Sequence, residues 1–476
     1  MHPLLSLSAS QLAQAIQQGT FSPSTVVDAH IARIEAVNPA LNAVVQQRFA
    51  RARQEAREAD ERVRQGASLG PLHGVPITIK EAFDVAGTPA TCGLLSAKVH
   101  LPQQDAVAVA RLKAAGAIVL GKTNTPDNCW DQETISYLFG RTNNPWDLAR
   151  SPGGSTGGEA AILAAGGSPL GLGSDIAGSI RLPAAWCGIV GLRPTSGLIN
   201  EVGFWPPSVG RLADLNAVGP MARRVEDVAL AFAILSEQPA QPLDSASLAG
   251  QTFGFWLDDG LIPSSGAVQG GVNAAVRALT DSGMRAHQAA PDHRRLAVAG
   301  WLARINEDER EAICRGFGGG ELWSPLRELQ NNLTDQPRIA TGALRYWLSS
   351  HYGSLLMNRL GVDGQIWRHQ LRAEFTELVG EDGFAICPVF PTTAPRHGWS
   401  VIFPLTISYQ TWVNLAGLPA LVVPVGRSGN GMPVGVQLVG APGTEWTLLK
   451  AGYAIQQALM PVAMNCLHLG ESGFAA

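Results

Sequence analysis

The residues of this chain that can attack a carbonyl or carry a proton include serines and lysines set among glycines, and two short patterns frame them. Gly116–Thr123, GAIVLGKT, has the G-x-x-x-x-G-K-T spacing of a loop whose backbone N–H groups wrap a phosphate. Here the four intervening residues are Ala-Ile-Val-Leu, which belong in a strand, and the preceding VARLKAAG looks helical. Nucleotide binding is therefore not expected. Gly153–Gly157, GGSTG, has the G-x-S-x-G spacing of a nucleophile elbow, in which a buried strand runs into the serine. The upstream NNPWDLARSP is polar and broken by two prolines, so a Ser-His-Asp triad is not expected. The six cysteines, Cys92, Cys129, Cys187, Cys314, Cys387 and Cys466, contain no C-x-x-C pair and read as free thiols. The ten histidines include no H-E-x-x-H pattern, so neither a metal nor a cofactor is expected.

A third match is much longer. Ser151–Gly197 reads SPGGSTGGEAAILAAGGSPLGLGSDIAGSIRLPAAWCGIVGLRPTSG, and eleven of the 53 glycines lie between Gly153 and Gly191. There the backbone must turn tightly or approach something closely. This segment closely resembles the amidase signature, particularly its fatty acid amide hydrolase branch. GPLHGVPITIKEAFD, GAIVLGKTNTP, GPMARRVEDVAL and NLAGLPALVVPVG…GMPVGVQLVG follow the order such enzymes show. The resemblance covers nearly the whole chain and is weakest from about 290 to 385.

The resemblance implies a hydrolase of carbon–nitrogen amide bonds with an α/β fold, a large mixed twisted sheet covered by helices on both faces. It assigns Ser179 as nucleophile, Ser155 as a bridging serine and Lys80 as base. Such a reaction needs a nucleophile, a base, donors for the oxyanion and an acid for the departing amine. A neutral Lys80 would take the proton of Ser155, which takes that of Ser179, and the relay would later run backward. Burial at the end of the apolar run VPITI is expected to disfavour the ammonium form. In the family the bridging serine sits in a cis peptide. Backbone N–H groups of Ile176, Ala177, Gly178 and Ser179 are expected to form the oxyanion hole. Where many relatives have two glycines this chain has Ala177, so that peptide must take an ordinary conformation or carry strain. Asp175 and Arg181 are expected to hold the loop, and Thr156 to hydrogen-bond the loop or the bridging serine. Asn128, Cys129 and Trp130 are expected to line the acyl pocket, with Trp130 favouring small amides that carry an apolar or aromatic acyl group. Some esterase activity would accompany it. The alternatives are a glutaminase-like amidotransferase subunit, whose basic and tyrosine-rich segment is not found in 300–360, and a non-catalytic or nucleotide-binding protein.

The elements that must position these residues read as alternating helices and strands. Ser8 with Gln11 forms a capping-box pattern, Ser22-Pro23 opens a second helix, and RARQEAREADERVRQ is a charged third helix within an N-terminal segment of about 70 residues. GVPITIK, AIVLGK, PLGLGSD, FAICPVF, ALVVPVG and PVGVQLVG read as strands; 105–115, 159–165 and TEWTLLKAGYAIQQAL read as helices. Strands disappear between 292 and 381, a helical insertion or cap, and Tyr346, Trp347, Leu355, Leu356 and Met357 within it fit the lining of a mouth or lid, although at helical spacing such residues are more often core. The whole of 1–476 is expected to be a single α/β domain. At 46% apolar and 16% charged the composition is that of a globular protein, and a formal charge of −4 makes nucleic acid an unexpected partner. With no basic n-region at the start and no long apolar run, a cytoplasmic protein with no integral membrane segment is expected, with a small amide as its partner and a homodimer compatible.

Overall fold

The N-terminal helices form where their capping residues direct. Ser8 opens α1 (Ala9–Gln17): its hydroxyl accepts from the Gln11 N–H while the Gln11 side chain accepts from the Ser8 N–H. Ser22 caps α2 (Pro23–Leu41), which buries Val26, Val27, Ile31 and Ile34. After β1 (Val44–Gln47), α3 (Phe49–Arg64) packs on α2 through Phe49, Ala52, Ala56 and Ala59, leaving most of its Arg and Glu side chains toward solvent. This computed structural model describes residues 3–460 apart from 98–99, 209, 306, 335–336 and 399–403; Cys466 lies outside the described residues.

The chain continues through β2 (Pro76–Lys80), α4 (Val107–Ala114), β3 (Ile118–Thr123), a short hairpin of β4 (Ile135–Ser136) and β5 (Gly140–Arg141), and α5 (Gly157–Ala164). Then come β6 (Leu170–Ser174), α6 (Arg181–Cys187), β7 (Val190–Arg193), β8 (Val218–Ala222), α7 (Val225–Ser236), β9 (Thr252–Phe255), α8 (Gly266–Asp281) and β10 (Arg285–Gln288). Helices α9 (Ala297–Ala303), α10 (Glu307–Phe317), α11 (Pro325–Leu333), α12 (Thr341–Arg359) and α13 (Gly364–Val379) follow, with no strand among the described residues of this stretch. The C-terminal part is β11 (Phe384–Pro388), α14 (Ser408–Ala416), β12 (Ala420–Arg427), β13 (Pro433–Gly440) and α15 (Glu445–Leu459).

Eleven strands form one sheet in the order β1-β3-β2-β6-β8-β7-β12-β13-β11-β9-β10. The pairs β3–β2, β2–β6, β11–β9 and β9–β10 are parallel and the rest antiparallel, so the sheet is mixed, as expected. Side chains alternate between two apolar layers. In β12, Leu421 and Val423 join the layer that includes residues of α7, α8 and α15, while Ala420 and Val422 face the other side. In β2, Ile77 and Ile79 belong to the first layer. Thr78 and Lys80 consequently point to the opposite face, where α5 lies. Strands β1, β7, β8, β9 and β10 were not read from the sequence. All are four or five residues long, and of the two at the sheet's ends β1 is half polar and β10 mostly polar, too little pattern to separate from loop.

Candidate active site

Lys80 is the last residue of β2 and is fully buried. Its Nζ lies 2.7 Å from Ser155 Oγ and 2.9 Å from Ser174 Oγ. Among the described residues no carboxylate forms an ion pair with it. Ser155 stands in the glycine-rich loop before α5, with no strand leading into it, and the Gly154–Ser155 peptide is cis. A Cβ on Gly154 would come within 2.8 Å of the Asp131 carbonyl oxygen, so the loop is pressed against the 131–133 backbone. Thr156 ties the two serine loops together: its N–H donates to the Ser179 carbonyl at 3.2 Å and its hydroxyl to the Ser174 carbonyl at 3.3 Å.

Ser179 precedes α6 in a turn organised by Asp175. The Asp175 carboxylate accepts from the N–H of Gly178 at 2.8 Å and of Ile180 at 3.2 Å, and from Arg181 Nε at 3.0 Å and Asn414 Nδ2 at 2.9 Å. Burial by itself would raise this carboxyl; the Arg181 guanidinium, with Arg193 and Asn414, holds it well below the usual carboxylate range. Arg181 also donates to Gln437 Oε1 at 3.0 Å and to Asn414 Oδ1 at 2.5 Å, anchoring the turn to α14 and β13. Ala177 has no left-handed backbone; Gly178 carries the turn at φ 104°. Of the four N–H groups expected to serve the oxyanion, that of Gly178 is already donated to Asp175. Those of Ile176, Ala177 and Ser179 have no acceptor among the described residues.

Two small cavities of about 40 and 50 Å³ meet at Ser179, sharing Cys129, Trp130 and Ile176 as walls. The first also touches Ser155, Ser174 and Asn128, and is closed by Phe204, Leu212 and Ile313. The second runs past Ala177 to Trp301 and Tyr346. Trp130 and Trp301 pack with ring centroids 6.1 Å apart, and Trp301 Nε1 donates to the Ile176 carbonyl at 3.2 Å. Asn128 is fully buried and neither polar atom of its amide has a partner among the described residues, so that amide is available to a polar group in the cavity. A wider groove of about 840 Å³ lies elsewhere, around Gln46, Arg48 and Thr88, and contains none of these groups.

Ser174 was missed by sequence reading, although it lies within the strand read at PLGLGSD and is the last residue of β6. The signal absent from the sequence was the parallel pairing of β2 with β6, which brings that end beside Lys80. The other residues singled out fall partly where their context indicates. In GAIVLGKT, Ile118–Thr123 is β3, and Lys122 is buried, 3.5 Å from Glu81 and donating to the Pro89 carbonyl at 2.5 Å, so no phosphate loop exists. Trp347 is core and Tyr346 lines the second cavity, but Leu356, read as core, is exposed, because α12 buries the face that carries Ala343, Leu344, Trp347 and Ser354. No described residue lining either cavity is a histidine. Among the described residues no group of three or more His, Cys, Asp or Glu side chains is placed to hold a metal, and no helix is long and apolar enough to cross a membrane.

A family model described as Amidase matches residues 25–449 of the chain that builds this fold and site. The chain belongs to the amidase family, whose members carry the amidase signature, and is an amidase by class. It is 34% identical to fatty-acid amide hydrolase 2-A of Danio rerio, over 92% of this chain and 86% of that protein. It is 33% identical to a glutamyl-tRNA(Gln) amidotransferase subunit of Anaeromyxobacter sp. (strain K), over 96% of this chain and 97% of that one. A solved structure of fatty acid amide hydrolase superposes with a TM-score of 0.80 at 26% identity, covering 98% of this chain and 87% of the other.

Proposed function

We propose that the chain hydrolyses small amides through an acyl-enzyme on Ser179, with Ser155 and Lys80 as a proton relay. Ser179 Oγ attacks the carbonyl carbon; its proton passes to Ser155, whose own proton passes to Lys80 Nζ. The N–H groups of Ile176, Ala177 and Ser179 stabilise the oxyanion. The proton then returns along the same path to the leaving nitrogen, and water attacks the ester to release the acid. The observation that carries this reading is a fully buried amine, unpaired with any described carboxylate, 2.7 Å from Ser155 Oγ at the wall of the cavity that holds Ser179.

The cavities' size and their Trp130, Trp301, Phe204 and Ile313 walls favour a short apolar or aromatic acyl group, with Asn128 as its polar contact. The likeness to fatty-acid amide hydrolases agrees with an apolar acyl group; the likeness to amidotransferase subunits makes glutamine the competing substrate. A fluorophosphonate probe tests the nucleophile. Labelling is expected on Ser179 and lost in Ser179→Ala; labelling that survives in that variant overturns the assignment. A panel of amides and esters of graded acyl length, with glutamine included, identifies the substrate class, and turnover of glutamine alone would discard the apolar-acyl reading.

A further inference from the structure

Cys92 and Cys129 are 37 residues apart in sequence, yet their Sγ atoms are 3.3 Å apart. Both residues are held in left-handed backbone, at φ 49° and 58°, a conformation that a non-glycine residue keeps only where its surroundings impose it. Cys92 is fully buried against the Trp205 carbonyl, whereas Cys129 lines both cavities beside Ser179. The two thiols differ in character. Burial, with Cys129 as neighbour, pushes Cys92 well above the ordinary thiol range. Burial would raise Cys129 too, but its hydrogen bonds with Cys92, Thr125 and the Lys80 amine draw this thiol below the ordinary range. A cavity-facing sulfur with thiolate character beside a second, protonated thiol is the arrangement in which the first is oxidised and the second resolves it.

We propose that Cys92 and Cys129 constitute a covalent modification site for hydroperoxides, which closes into a disulfide at the wall of the active-site cavity. The Cys129 thiolate attacks one oxygen of hydrogen peroxide; the O–O bond breaks, and the departing hydroxide takes a proton to become water. The resulting sulfenic acid is attacked by Cys92 sulfur, whose proton leaves with the hydroxyl as a second water while the S–S bond forms. Two electrons pass from the sulfur pair to one peroxide. To reach the ~2.05 Å of a disulfide the sulfurs must close by more than an ångström. That draws on the Asp127–Trp130 segment, which carries Asn128 and Trp130, and a displacement of ~1 Å at a catalytic site costs up to ~100-fold in rate.

The test uses the full chain, reduced, desalted, treated with hydrogen peroxide, alkylated with iodoacetamide and digested for mass spectrometry. The expected product is the Cys92 peptide joined to the Cys129 peptide, two hydrogens lighter than their sum and separated by dithiothreitol. In Cys92→Ser the sulfenic acid has no resolving thiol, so dimedone is expected to label Cys129; Cys92→Ala serves the same arm if the serine variant does not fold. Peroxide-treated protein with both cysteines still fully alkylated, or with Cys129 joined to a different cysteine, overturns the proposal. These mass readouts do not depend on amide hydrolysis. Where an amide is turned over, oxidation is expected to lower kcat/KM at least tenfold and dithiothreitol to restore it; an unchanged rate in crosslinked protein would remove the link to the active site.

Discussion

Replacing Lys80 with alanine removes the buried amine bonded to both Ser155 and Ser174, while leaving in place the Ile77 and Ile79 side chains that seat β2 in the core. The expected result is a loss of ~10³-fold or more in kcat, as for other groups that act as part of a catalytic unit, with cooperative unfolding retained. Steady-state rates and a thermal melt check both; a rate within tenfold of the parent would remove Lys80 from the relay. Gly178 makes a second demand at this scale. Its φ of 104° is unfavourable for any other residue, and an added Cβ would lie 2.6 Å from Gln410 Cγ, while the Gln410 amide is itself bonded to the Val389 carbonyl at 2.5 Å. Gly178→Ala is expected to cost ~1–3 kcal/mol of stability from backbone strain alone and to lower kcat more than it raises KM, because the turn also orients Ser179. Denaturant titration alongside kinetics measures both.

Helix α5 is the element that fits the glycine-rich loop to the sheet, and it does so through a buried carboxyl. Glu159 accepts hydrogen bonds from Thr78 of β2 and, at 2.8 Å, from Thr123 of β3. It can sit there because Gly171 has no side chain; a Cβ at that position would lie 2.0 Å from Glu159 Oε1. Burial pushes the Glu159 carboxyl up to about 8, with the two threonine hydrogen bonds opposing. The folded protein therefore keeps a proton here that the unfolded chain loses near pH ~4.3. A folded pKa above the unfolded one gives stability that is fully present below the unfolded value and is lost as pH rises through the folded value. Between pH 6 and 9 the parent is expected to lose roughly 2–3 kcal/mol more than Glu159→Gln, which carries no titrating proton. Urea unfolding of the two proteins at both pH values decides it, and superimposable pH dependences would mean that Glu159 is ionised in the fold.

Across the whole molecule the second cavity is a joint product of the sheet face and the helices between β10 and β11. Trp301 from α9 and Tyr346 from α12 close it against Trp130 and Ile176, and Asp127 accepts from the Ala340 N–H at 2.6 Å just before α12 begins. Burial holds the Asp127 carboxyl up at about 8, so this link between the Asp127–Trp130 segment and α12 tolerates neutral pH with no ion-paired cation among the described residues. Trp301→Ala opens the wall opposite Trp130. It is expected to raise the kcat/KM ratio of longer over shorter acyl amides about tenfold, since one methylene in an apolar pocket is worth ~1–3 kcal/mol. A chain-length series compared between variant and parent measures the shift, and an unaltered ratio would place the acyl group in the other cavity.

Much of this molecule was readable in local terms. The Ser8 and Ser22 caps, the charged exposed face of α3, the apolar β2, β3, β12 and β13, and the glycine spacing around Ser155 and Ser179 follow from propensity, periodicity and close backbone approach, which act over a few residues. Those signals were enough to reject the phosphate loop at Lys122, and the resemblance they carry named Lys80, Ser155 and Ser179. What they could not supply was pairing across the chain. Strand register alone puts Ser174 beside Lys80, the Asp175 carboxylate alone takes the Gly178 N–H from the expected set of four, and only folding brings Cys92 within 3.3 Å of Cys129. These depend on which distant segments share a face, a choice made by the packing of the sheet and its layers as a whole rather than by any stretch of sequence.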